Sequence, residues 1–127
     1  MIKTKSVYSA IEPDRDGLRV LITRFRGRGL RKRRYHVWMP NLGPSERLLR
    51  DFQSERIDWV EFKRHYRAEL FEVCSIDRRN RTIKNHGQKF TLRLLHELAR
   101  RGPVTLMCHC LEDQLHRYRH ILQTVCG

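Results

Sequence analysis

The 127-residue chain has no apolar run near the roughly eighteen residues that a membrane-spanning helix needs, and its opening, MIKTKSVYS, lacks the apolar centre of a signal peptide. A cytoplasmic location without membrane contact is the expectation. Acid is scarce: 14 Asp plus Glu stand against 27 Lys plus Arg, a formal charge of +13. Lysine is scarce as well, confined to Lys3, Lys5, Lys32, Lys63, Lys84 and Lys89, so arginine carries most of the positive charge. That balance favours anionic partners, whether nucleic acid, a phosphate-containing ligand such as a nucleotide, or an acidic protein, and it says nothing about fold. Repeats, low-complexity linkers and the GxxxxGK[ST] spacing of a Walker loop are all absent. Cysteine is limited to Cys74, Cys108, Cys110 and Cys126, and in a cytosolic compartment these are free thiols. Only in a hyperthermophile would a Cys74 to Cys126 bridge come into question, and the 32% charged content suits a heat-adapted surface.

The length suits one core, so residues 1–127 are expected to form a single domain. Residues 2–7 alternate weakly and suit an edge strand protected by Lys3 and Lys5. Glu12 to Gly17 carries the Pro and Asp-Gly of a turn, and Arg19 to Phe25 then has the continuous apolar centre of a buried parallel strand. Ser45 and Asp58 are N-cap residues for two helices, the second presenting Trp59, Phe62, Tyr66 and Leu70 along one face. Aromatic residues at that spacing are core before they are a stacking platform. Residues 74–88 have no period and form a basic loop, either functional or mobile, before a helix from Lys89 to Arg100. Val104 to Met107, entered through Gly102-Pro103, is a second strand buried on both faces. The fold class is therefore α/β, a single small domain with a three- or four-stranded mostly parallel sheet packed by about four helices.

Chemistry is expected where strands end, because ligands of open α/β sheets bind in the crevice beyond the carboxyl edge. Two stretches lie there. Residues 24–34 contain seven basic residues and no acid, and Gly27 and Gly29 permit close backbone approach. Arg24, Arg28, Gly29 and Arg117 are the candidates for clamping a small anion. The competing assignment is a surface that binds nucleic acid without reading sequence, through Arg26, Arg31, Lys32, Arg33 and Arg34 together with Arg78, Arg79, Arg81 and Lys84.

The other stretch is Cys108-His109-Cys110, followed by a last helix on which His116 and His120 share a face at i, i+4. A phosphatase-type loop is excluded, since six residues, Glu112 and Asp113 among them, separate Cys110 from Arg117. Cys108, Cys110, His116 and His120 are ligand types that zinc accepts, but the C-x-C gap is tighter than structural zinc sites use. No cofactor is expected. A nucleophilic thiol would be Cys110, partly exposed near a helix start and near arginine, with Cys108 the buried inert one and His116 a proton carrier. Asp113 is the expected N-cap of that helix.

The segments DGLRVLITRFRGRGL, VWMPNLGPSERLLRDF, WVEFKRHYRAEL and VTLMCHCLEDQLHRYRH together resemble the YeaO-like family, a small bacterial and archaeal domain without an assigned activity. The resemblance implies an α/β fold and points to Arg24, Arg28, Gly29, Ser45, Tyr66, Glu69, Cys108, His116 and Arg117. In similar sequences a Cys often precedes the His-Arg step where this chain has Leu115. Arg26 and Gly27 replace an aromatic residue and a Pro, which makes this loop more basic and less rigid.

Overall fold

A computed structural model describes residues 1–110 and 116–126. Four strands, β1 (Ile2–Ser6), β2 (Leu18–Leu21), β3 (Val37–Trp38) and β4 (Val104–Cys108), form one sheet in the order β1-β4-β2-β3, with every pairing parallel. Five helices accompany them among the described residues: α1 (Pro13–Asp16), α2 (Glu46–Gln53), α3 (Trp59–Leu70), α4 (Lys89–Arg101) and α5 (Tyr118–Cys126). None is long and apolar enough to cross a membrane.

The central strand β4 is buried along its whole length, and its side chains divide by the two-residue period of the pleat. Val104, Leu106 and Cys108 join Val20 and Ile22 of the β2 segment on one face. There they meet Phe62, Tyr66 and Leu70 of α3, Leu92, Leu95 and Ala99 of α4, and Ile121 and Leu122 of α5. The opposite face is made differently. Leu21, Met107 and Val7 lie under Leu30 and Tyr35 of the loop after β2, not under a layer of long helices. Beside them the face is polar: Thr105 donates its hydroxyl to the Asp16 carbonyl at 2.7 Å, and Lys5 pairs with the Asp16 carboxylate at 2.8 Å. Burial alone would raise the Asp16 carboxyl, but the Lys5 ammonium and the Glu12 N–H outweigh it and leave its pKa below the ordinary value.

Three elements differ from their sequence-based expectation, the first being the strand expected over Arg19 to Phe25, which runs only over Leu18–Leu21. Glu12 to Gly17 holds a one-turn helix where a simple turn was expected, because Pro13 fits the first helical position as well as it fits a turn. The two-residue β3 is too short for periodicity to reveal, and it reaches β2 by a connection that contains only a 3₁₀ turn at Lys32–Arg34.

The caps expected at Ser45 and Asp58 form. The Ser45 hydroxyl oxygen accepts from the Leu48 N–H at 3.2 Å, and the Asp58 carboxylate accepts from the Glu61 N–H at 2.8 Å. Ser45 also donates both its N–H, at 2.8 Å, and its hydroxyl to the Glu69 carboxylate, tying α3 to the start of α2. Tyr66, in the same helix, donates its hydroxyl to the Leu42 carbonyl. Three residues singled out by the family resemblance are therefore structural ties. Ser45→Ala is expected to lower unfolding free energy by about 1–2 kcal/mol, the loss of a cap. A urea titration checks it, with Ser45→Thr expected to recover most of the loss.

Candidate functional site

Beyond the carboxyl ends of β2 and β4 the chain leaves a cavity of about 350 Å³. Thr23, Arg24 and Phe25, which follow β2, form one wall, and His109 and Cys110, which follow β4, form another. Leu49, Phe52, Trp59 and Phe62 of α2 and α3 close the third side, with His116 and Tyr118 at the start of the last helix. Its position is the crevice where parallel α/β sheets bind ligands. A second depression, about 480 Å³, lies between α4 and α5 near Phe71 and His96, away from the strand ends.

The wall is aromatic. Trp59 stacks on His116, centroids 4.5 Å apart and planes 22° from parallel, and on Phe62 at 5.3 Å and 11°. Phe52 presents its edge to His116 at 6.3 Å. Phe62, Tyr66 and Leu70 are buried as expected; Trp59, at the first turn of α3, packs against the same core but stays half-buried and also lines the cavity.

Arg24 directs its Nη2 to the Gly43 carbonyl at 2.8 Å and its Nε to the Pro44 carbonyl at 3.5 Å, which fixes the guanidinium at the wall. The other expected anion ligands are not brought to it. Arg28 and Gly29 are exposed on the loop and Arg117 is half-buried, and none of the three lines the cavity. Gly27 is the glycine whose absent side chain matters here: at φ +94° a Cβ would fall 2.6 Å from His109 Cε1, so the basic loop packs directly on the imidazole. His109 Nδ1 shares a 3.1 Å hydrogen bond with the Tyr8 hydroxyl.

The residues assigned to the nucleic-acid alternative divide. Arg26 is held by the Tyr35 hydroxyl and the Leu30 carbonyl, each at 2.6 Å, which ties the loop to itself, and Arg34 by the Val7 carbonyl at 2.6 Å, which ties it to the chain just after β1. Arg31, Lys32, Arg33, Arg78, Arg79, Arg81 and Lys84 are exposed.

The two central cysteines have the exposure expected of them but not the charge. Cys108 is fully buried and Cys110 partly exposed on the cavity. The cation beside them is Arg119, whose Nη1 lies 3.1 Å from Cys108 Sγ and 2.9 Å from the Cys110 carbonyl. A hydrogen bond from the Cys110 side chain lowers the Cys108 pKa; burial opposes it and Arg119 adds to it, for a value of about 7. The same bond pushes Cys110 upward, as does its own desolvation. Within this pair the Cys110 hydrogen bond and Arg119 favour the anion on Cys108, whereas the sequence points to Cys110 as the nucleophile. Burial alone raises Cys126 to about 11, and Cys74 is exposed; both are free, so the two do not pair.

Arg119 was missed in favour of Arg117. Its spacing to Leu122 and Cys126, three and seven residues on, places it on the buried arc of α5, and an arginine on such an arc needs an internal acceptor. The expected histidine face also fails. His116 precedes α5 and stacks on Trp59, so it shares no helical face with His120. Among the described residues no group of three or more His, Cys, Asp or Glu could hold a metal ion, and the zinc set of Cys108, Cys110, His116 and His120 is not assembled. The Asp113 cap lies outside the described residues.

No solved structure matches the chain. The uncharacterized protein YeaO of Escherichia coli (strain K12) is 30% identical over 108 residues, which cover 84% of this chain and 80% of that protein. The family described as the active DUF488-N3 subclade matches residues 2–126, and the chain belongs to this YeaO-like family.

Proposed function

We propose that the protein binds a small phosphate-bearing, nucleotide-like anion in the cavity at the carboxyl edge of the sheet. The observation that carries this reading is the combination in one cavity of a fixed guanidinium, Arg24, with the Trp59, His116 and Phe52 rings. A planar heterocycle gains by stacking on such rings, and a guanidinium binds phosphate oxygens through paired N–H groups. The volume of about 350 Å³ falls within the range of small-molecule sites. We take the protein to be cytoplasmic, where thiols such as Cys108 and Cys110 stay reduced.

The second reading, a nucleic-acid-binding surface, rests on the exposed Arg31, Lys32 and Arg33 and on Arg78, Arg79, Arg81 and Lys84. Calorimetric titration with nucleoside monophosphates, inorganic phosphate and a single-stranded oligonucleotide separates the two. Saturable uptake of a monophosphate is expected, weakened about tenfold or more by Arg24→Met, the loss of a charge-assisted hydrogen bond. Trp59→Leu should weaken the monophosphate and leave inorganic phosphate unchanged. Binding of the oligonucleotide alone, falling steeply with salt, would move the assignment to the basic surface.

A further inference from the structure

Cys108 ends β4 and Cys110 follows it two residues on, across a bend that turns the Cys110 N–H back onto Cys108 Sγ at 3.3 Å. Donors converge on Cys108 Sγ: Arg119 Nη1 at 3.1 Å, the Cys110 backbone N–H with N at 3.3 Å, and the Cys110 side chain. Arg119 itself is fully buried, and the same Nη1 holds the Cys110 carbonyl, so the guanidinium braces both residues. The inner sulfur is closed to solvent and the outer one borders the cavity.

We propose that Cys108 and Cys110 form a redox-active dithiol that a small hydroperoxide entering the cavity oxidises to an internal disulfide. The inner sulfur is the nucleophile because three donors stabilise its anion, and a pKa of about 7 makes that anion abundant at neutral pH. Cys108 thiolate attacks a peroxide oxygen; the O–O bond breaks, the S–O bond of a sulfenic acid forms, and the departing oxygen takes the Cys110 thiol proton and leaves as water. The Cys110 thiolate so produced attacks the Cys108 sulfur, forming the S–S bond and releasing hydroxide. The two sulfurs give up two electrons and the peroxide O–O bond accepts them. A small external dithiol reverses the change by thiol–disulfide exchange and becomes a disulfide itself. The pair meets the cavity through Cys110 alone, so the oxidant must be small enough to pass Cys110 and touch the Cys108 sulfur behind it, which selects hydrogen peroxide over a bulky disulfide.

The inference stands whichever ligand the cavity takes. Its test uses the full chain, treated with stoichiometric hydrogen peroxide at neutral pH, then denatured, alkylated and digested with trypsin. The peptide beginning at Gly102 and ending at Arg117 carries these two cysteines and no other. It should lack two hydrogens and take no alkyl group, and dithiothreitol should restore both alkylation sites. The rate should rise with pH through about 7. Cys110→Ser, checked for folding by circular dichroism, should instead leave a sulfenic acid on Cys108 that dimedone, present during denaturation, traps. Oxidation at exposed Cys74 while Cys108 and Cys110 remain fully alkylated would overturn the proposal, as would dimedone labelling of Cys110 in the Cys108→Ser protein.

Discussion

Gly17→Ala is expected to destabilise the fold by about 3–5 kcal/mol, the range for a substitution that combines backbone strain with overlap. Gly17 sits at φ +60° and ψ −132°, a conformation that glycine alone adopts readily. A Cβ there would fall 2.0 Å from the Pro103 carbonyl oxygen, well inside any real contact. That oxygen accepts the Leu18 N–H at 3.0 Å, the bond that starts the pairing of β2 with β4. Relief of the overlap would pull the two strands apart at the first rung of their ladder. Thermal unfolding followed by far-ultraviolet circular dichroism measures the loss. A transition within a few degrees of the unaltered protein would show that the β2–β4 junction has another geometry.

Arg119→Met is expected to cost about 2–4 kcal/mol and to raise the Cys108 pKa, with the Cys110 hydrogen bond still holding it down in part. Methionine fills much of the volume but leaves the Cys110 carbonyl and Cys108 Sγ without the donor that now serves both. With the guanidinium gone, burial acts on Cys108 with less opposition, and burial raises a thiol. Ultraviolet absorbance of the thiolate near neutral pH, compared with Cys108→Ser, gives the shift directly. An unchanged titration would mean that Arg119 does not stabilise the Cys108 anion.

Much of this arrangement is legible in the sequence, because the signals that specify it are local. Ser45 and Asp58 announce their helices by cap chemistry, and Val104 to Met107 announces a doubly buried strand by its short, largely apolar and β-branched run. The parallel neighbour at Leu18–Leu21 follows from the same kind of run. Long-range features leave weaker traces. Val37 and Trp38 form a strand only because β2 offers an edge to them. Arg26 and Arg34 look like part of one basic surface until the carbonyls of Leu30 and Val7 claim their guanidinium groups.

The site shows the same division. Its place beyond the strand ends, and the presence of Arg24, Cys110 and His116 in it, follow from topology. The identity of the cation that serves the cysteines does not. Arg117 and Arg119 are equivalent as letters, and the packing of α5 selects Arg119. Trp59 is likewise read as core from its spacing, and it does pack against the core, but its half-buried place in the first turn of α3 also puts it on the cavity.

Trp59 also provides the most direct measurement. The chain has two tryptophans, and the other, Trp38, donates its indole N–H to the Thr23 carbonyl at 2.7 Å. In a Trp38→Phe protein, emission reports Trp59 alone. Titration with a nucleoside monophosphate should change that emission saturably, and Arg24→Met should shift the midpoint to higher concentration. If calorimetry detects monophosphate binding while Trp59 emission stays constant, the ligand sits elsewhere and the cavity is not the binding site.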